Sequence, residues 1–124
     1  MTPQALAILY AVLASAPFAM QIALAAGAPL GRFSVGGRFP GRLPPAWRVL
    51  AVVQAGLLVA LAVTLLGLGG ALPLDLPGWA IWPVLGLTAM TCLANLATPS
   101  RPERRLWGPV TVGMLAASIG VALL

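Results

Sequence analysis

The chain contains no histidine, no lysine, a single cysteine and only two acidic residues. Each absence removes a class of chemistry. Without His, imidazole ligation of haem and His-built zinc sites fall away, and without Lys so does Schiff-base chemistry. Cys92 stands alone in an apolar stretch, which excludes an internal disulfide and any cysteine metal cluster. Charged residues make up 7% of the sequence, against roughly 25% in soluble domains. No long polar segment is present to build a soluble domain.

All seven basic residues are Arg, and the net charge is +5. A nucleic-acid partner would need a basic face on a soluble fold, and the arginines have a simpler explanation in membrane topology. The lack of Lys beside abundant Arg, Ala, Gly and Pro fits the codon bias of a GC-rich genome.

What the chain does have is apolar sequence: 60% of its 124 residues are hydrophobic and its mean hydropathy is +1.01. A soluble core of this length cannot hide so much apolar surface, so the bilayer is the expected solvent. A helix needs about 20 apolar residues to cross the ~30 Å hydrocarbon core. Four uncharged stretches qualify, at about residues 4–28, 49–72, 79–97 and 107–124. The expected fold is all-α, a single four-span integral membrane bundle over residues 1–124. Pro45 and Pro109 are placed near the first turns of spans two and four, Gly69 and Gly70 at the end of span two, and Pro17 inside span one, where it should kink the helix.

The connection between spans one and two carries Arg32, Arg38, Arg42 and Arg48, and that between spans three and four carries Arg101, Arg104 and Arg105. Both lie on one side of the bundle, and the positive-inside rule makes that side cytoplasmic, with both termini outside. Trp47 and Trp107 then fall at the cytoplasmic interface and Trp79 and Trp82 at the outer one, as interfacial Trp should. The expected location is a bacterial inner (cytoplasmic) membrane, crossed several times. Two small-residue runs, Ala23-Leu24-Ala25 and Ala26-Gly27-Ala28, resemble signal-peptidase sites. No basic residue precedes the apolar run, however, and the run is long for a signal core.

Each half of the chain reads as helix, arginine-rich loop, Trp, returning helix. Any four-span protein that obeys the positive-inside rule reads in this way, so an internal repeat is the less favoured explanation. Small residues recur four apart at Ala19, Ala23 and Gly27, at Gly56 and Ala60, and at Gly113 and Ala117. Such rows allow close helix packing within a bundle or between copies in a homo-oligomer.

No Asp, Glu, Lys, Arg or His lies within a span, which weighs against ion-coupled exporters that depend on a carboxylate in the first helix. Gln21 is the nearest substitute. Gln21, Gln54 and Asn95 each lie within roughly two turns of the cytoplasmic ends at 1.5 Å per residue, and with Thr91 and Thr111 they form a candidate polar cluster. Interhelical hydrogen bonding is the favoured account of this layer, and a polar pocket opening to the cytoplasm is the alternative.

The first loop combines Gly27, Gly31, Gly36, Gly37 and Gly41 with Phe33, Phe39 and arginines; a topology-setting loop is the favoured reading, and a segment lying against anionic headgroups is the alternative. All seven arginines are candidate headgroup or anion contacts. Glu103, in the second loop, is the candidate for a loop-to-loop ion pair with an arginine. It has no nucleophile, metal ligand or second acid beside it, so no catalytic, cofactor or metal site is expected.

Gly27-Ala28-Pro29 with Gly31, Gly36-Gly37, Leu43-Pro44 and Arg48, followed downstream by Asn95, Glu103-Arg104 and Leu106-Trp107-Gly108-Pro109-Val110, form a pattern spanning nearly the whole chain. In this the sequence resembles a group of small, functionally uncharacterised bacterial membrane proteins with four predicted helices. Here Val35 and Arg38 flank the paired glycines, where that group often has an aromatic before and a His or Gln after. The resemblance implies fold and topology, and no activity.

Two functions remain in view. The first is a non-enzymatic lipid-interacting or accessory component whose basic face meets anionic headgroups or a membrane partner. The second is a small oligomeric transporter or channel for a neutral or anionic solute, passing Gln21, Gln54 and Asn95. Retention of span one is tested by intact-mass measurement of the purified protein. The expected value is the full 12.6 kDa, and loss of the first two dozen residues would remove the four-span reading.

Overall fold

The computed structural model describes all of residues 1–124 as four α-helices: α1 (Pro3–Ala25), α2 (Pro45–Leu68), α3 (Ile81–Ala97) and α4 (Arg101–Leu123). Each is long and apolar enough to cross a membrane, α3 together with the 3-10 turn Gly78–Ala80 that leads into it. Exposed Val12, Val49, Val53, Met90 and Leu93 stud their outer faces. In water so much apolar surface would drive association; in a bilayer it faces lipid. The chain is a multi-pass membrane protein.

The helix ends follow from local chemistry. Thr2 caps α1 by accepting the Ala5 N–H at 3.0 Å, with Pro3 in the first turn. α1 stops at Ala25, earlier than the apolar run implies, because Gly27 turns left-handed at φ +95°. The N–H of Ala28 then reaches the Ala23 carbonyl and that of Gly27 the Leu24 carbonyl, so the freed carbonyls keep partners. Gly70, at φ +82°, ends α2 in the same manner, with Ala71 donating to Leu66 and Gly70 to Gly67.

The largest departure from the sequence reading is at α4. It begins at Arg101, not near Trp107, because the Ser100 hydroxyl caps it by accepting the Glu103 N–H. Pro109 is consequently a helix-interior residue and not a first-turn one. Its missing N–H leaves the Arg105 carbonyl without an intrahelical donor. Pro17 likewise lies inside α1. Pro45 does open α2.

The helices alternate in direction, and α1 packs against α2 on one side and α4 on the other, with α3 against the far side of α4. α2 and α3 touch only sparsely, so the bundle has one open seam. The main core lies in the half of the bundle away from the arginine loops, around Ala7, Tyr10 and Ala14 of α1, Leu61 and Leu65 of α2, Val84 of α3, and Met114, Ala117 and Val121 of α4. Gly113 and Gly120 give α4 room for Leu13 and Leu6 of α1. The pair Gly56 and Ala60 is exposed on α2.

Tyr10 and Thr88 share a buried hydroxyl hydrogen bond of 2.8 Å that joins α1 to α3. Tyr10→Phe and Thr88→Val should each lower stability by about 0.6–1 kcal/mol. The double variant should lose no more than either alone. Thermal unfolding in detergent measures this, and fully additive losses would show that the two hydroxyls act separately.

Candidate functional site

The first loop is folded, and its backbone determines what the site can do. Two 3-10 turns, Gly31–Phe33 and Val35–Gly37, are closed at the base by the Gly31 N–H donating to the Gly41 carbonyl at 2.9 Å. Gly31 is required there, because a Cβ would collide with the Phe39 carbonyl. Val35, Gly36 and Gly37 are successively left-handed, at φ +52°, +63° and +75°. For Val35 that conformation costs roughly 1–2 kcal/mol.

This backbone turns the Gly36 N–H toward α4, where the Glu103 carboxylate accepts it at 2.8 Å. Two more hydrogen bonds fasten the same segment. The Ser100 hydroxyl donates to the Arg32 carbonyl at 2.7 Å and the Trp107 indole N–H to the Phe33 carbonyl at 2.9 Å. The two loops therefore meet at Glu103, as expected, but through a peptide N–H and not through an ion pair with an arginine. A left-handed glycine backbone presents its N–H more closely than a long guanidinium could without filling the space beneath.

Glu103 is only 8% exposed. It sits in the first turn of α4, level with Arg101, Arg104 and Arg105 and ahead of the apolar run that starts at Trp107, so it belongs to the polar end of the bundle. Burial raises its pKa above the usual 4.5, partly opposed by the hydrogen bonds from Gly36 and Thr98.

The arginines divide into two groups. Arg48 donates from Nε to the Ala25 carbonyl at 3.0 Å, and Arg104 from Nη1 to the Thr98 carbonyl at 2.9 Å. Each caps the end of the preceding helix from the start of the following one, where a cation also complements the helix dipole. Arg32, Arg38, Arg42, Arg101 and Arg105 are exposed. Arg32 lies over the Phe33 ring at 4.7 Å and Arg38 over the Phe39 ring at 5.2 Å. The exposed group is the one free to meet anions.

Beneath the folded loop is a cavity of about 350 Å³. The helices contribute Gln21 (α1), Gln54 (α2), Thr91 and Asn95 (α3) and Thr111 (α4) to its lining, so the whole candidate polar cluster borders one space. Those side chains do not bond one another. Asn95 donates to the Thr91 carbonyl, Thr91 to Leu87, and Thr111 to Trp107 and Gly108, all on their own helices. The Gln21 Oε1 is buried with no hydrogen-bond partner. The expected interhelical hydrogen-bond layer is thus replaced by polar groups arranged around a space.

Phe33, Ser34 and Val35 of the loop roof this cavity, and Glu103 and Trp107 border its upper end. Leu58, Leu61 and Met114 line its deep end. Leu50, Gln54 and Leu57 on α2, and Thr91 and Ala94 on α3, border it and are themselves exposed. Together with the sparse α2–α3 packing, this makes the opening lateral, through the open seam. No group of three or more His, Cys, Asp or Glu side chains converges that could hold a metal ion.

Sequence reasoning did not single out Ser34, Ser100 or Met114. A signal for Ser100 was present: Ser100-Arg101-Pro102-Glu103 has the serine-to-glutamate spacing of a capping box. Ser34 and Met114 join the site only through tertiary packing. No protein-family model, curated protein or solved structure matches the chain. Function is therefore inferred from the chemistry of the site.

The Glu103 contact yields a test with a definite sign. A carboxyl whose pKa is raised on folding favours the folded loop fully below its unfolded value of 4.5, and that contribution is lost as pH rises through the folded pKa. Tryptic cleavage at Arg38 should accordingly slow as pH is lowered from neutrality, after correction for trypsin's own pH profile. Glu103→Gln, which still offers an acceptor to Gly36, should remove that dependence. Glu103→Ala should raise cleavage at every pH by roughly fivefold or more, as expected for losing about 1 kcal/mol or more of docking. Equal cleavage of all three proteins would show that Glu103 does not hold the loop.

Proposed function

We propose that the chain is a non-enzymatic, lipid-interacting component of a bacterial cytoplasmic membrane, with its arginine-rich end in the cytoplasm and both termini outside. The observation that carries this reading is the lateral opening between α2 and α3. A lipid reaches its site from within the bilayer and needs such a side opening, whereas a dissolved solute approaches from an aqueous end. The exposed Arg32, Arg38, Arg42, Arg101 and Arg105 surround the same end of the molecule. Each cation near an anionic leaflet contributes about 1 kcal/mol of attraction, which would hold that end at the headgroup level.

A second reading, an oligomeric carrier for a neutral or anionic solute, draws on one observation. Gln54 stands exposed at the cavity's lip, with Gly56 exposed nearby on α2. A second copy closing the seam would give that amide a partner and enclose the two cavities as one passage.

Native mass spectrometry from nanodiscs of mixed zwitterionic and anionic lipid separates these readings. Lipid interaction predicts retained lipid, with a preference for anionic lipid that weakens in Arg38→Gln with Arg42→Gln. No retained lipid, and no effect of neutralising these arginines, would overturn it. Solute flux into proteoliposomes that disappears on replacing Gln54 and Asn95 with Leu would favour the carrier instead.

A further inference from the structure

Among seven arginines gathered at one end of the bundle, none lines the cavity. Its only ionisable lining residue is Glu103. That distribution runs against the composition of the region and decides what kind of head group can enter. A phosphate or carboxylate placed under the loop would face a carboxylate with no guanidinium to balance it. Anionic lipids are therefore matched by the outer surface, where the exposed arginines are, and not by the interior.

The interior offers acceptors. The Gln21 Oε1 is buried without a donor, and leaving such an atom unpaired costs roughly 1–3 kcal/mol. A carboxylate has about four lone-pair sites, and the Gly36 N–H and the Thr98 side chain account for only part of that capacity at Glu103. Donors are present as well: the Thr91 and Thr111 hydroxyls and one Asn95 N–H are given to backbone carbonyls, whereas the Gln21 and Gln54 amides, the Ser34 hydroxyl and the Trp47 indole N–H of the lining make no such bond. A hydroxyl, which both donates and accepts, is matched by this lining, and an anion beside Glu103 is not.

Size and depth define the rest of the molecule. A volume of about 350 Å³ is near the small end of ligand sites, roughly 300–1,000 Å³, and suits one hydrocarbon chain better than two. Along α4, Glu103 at the top and Met114 at the bottom are separated by about 16 Å at 1.5 Å per residue. That is close to half of the ~30 Å hydrocarbon thickness. The deep end, around Leu58, Leu61 and Met114, is apolar, and the Met side chain adapts readily to an irregular chain.

We propose that the cavity binds a single-chain amphiphile with an uncharged, hydroxyl-bearing head group, of the monoacylglycerol or long-chain alcohol type. The head donates to Glu103 and bonds the Gln21 amide beneath the Phe33-Ser34-Val35 roof, and the chain runs down past Leu61 and Met114. This inference rests on the lipid-interacting reading above and narrows it to one head-group chemistry.

The test uses the full chain in proteoliposomes and a monoacylglycerol carrying a photoactivatable diazirine in its chain. Labelling should concentrate on peptides containing Leu61 and Met114, and Leu61→Trp should abolish it. Unlabelled monooleoylglycerol should compete at least tenfold better than methyl oleate, which has the same chain and no donor, or oleate, which is anionic. Gln21→Leu should weaken the monooleoylglycerol competition about fivefold while leaving that of methyl oleate unchanged, the expected loss for one hydrogen bond of about 1 kcal/mol. Oleate or methyl oleate competing as well as the alcohol would overturn the head-group assignment and leave lipid binding standing. Label spread evenly over all outward helix faces, and unaffected by Leu61→Trp, would overturn both.

Discussion

The hydrogen bond from the Gly36 N–H to Glu103 joins two halves of a bundle that otherwise lacks one of its seams. α1 and α4 pack together, but α2 and α3 scarcely meet, so the first loop can cover the space between them only if something on α4 holds it. Glu103 does so from the first turn of the helix. A hydrogen bond to a charged group contributes roughly 1.5–3 kcal/mol, while a left-handed Val35 costs roughly 1–2 kcal/mol. The two nearly offset each other. The net hold therefore depends on Ser100 and Trp107, which bind the Arg32 and Phe33 carbonyls a few residues upstream. Gly37 makes this approach feasible, since a Cβ there would come within 3.1 Å of the Ser100 Cβ.

The arginines show how a membrane protein with almost no acids manages its charge. Arg48 and Arg104 spend their hydrogen bonds on carbonyls at the ends of α1 and α3. Carbonyls at a helix C-terminus carry partial negative charge, so these two cations need no carboxylate. The remaining five stay exposed. Glu103, relieved of pairing with any of them, is left to organise a peptide backbone. The same capping device serves two very different connections, a long glycine-rich loop after α1 and a short Thr-Pro-Ser turn after α3.

The membrane-spanning architecture was legible because hydropathy over some twenty residues is a property of the sequence alone. Helix ends were less so. Counting uncharged residues placed the start of the last span at Trp107, whereas capping chemistry at Ser100 starts the helix at Arg101. Hydropathy reports where hydrocarbon begins, and hydrogen-bond satisfaction reports where the helix begins. The shared depth of Gln21, Gln54, Thr91, Asn95 and Thr111 was legible, but the favoured expectation was that they bond one another, and instead they border one space. The sequence does not report how far apart α2 and α3 stand, which decides between the two. The roof over them was equally hidden, since Gly36 and Gly37 accept a left-handed backbone but Val35 does not prefer one.

A half-polar slot open to lipid sets a physical problem for any occupant. Water filling the slot would meet acyl chains through the α2–α3 seam, with Leu58, Leu61 and Met114 wetted at the deep end. A plain hydrocarbon chain would cover those residues and leave Gln21 unpaired in a medium without donors. Only a molecule whose polarity changes along its length meets both demands. The cavity changes in the same direction as the leaflet beside it, from Glu103 and Ser34 at the arginine end to Met114 near the middle. A lipid-like occupant could thus enter through the seam while keeping its head at the headgroup level and its chain in hydrocarbon throughout, so that entry requires neither burying a charge nor wetting a chain.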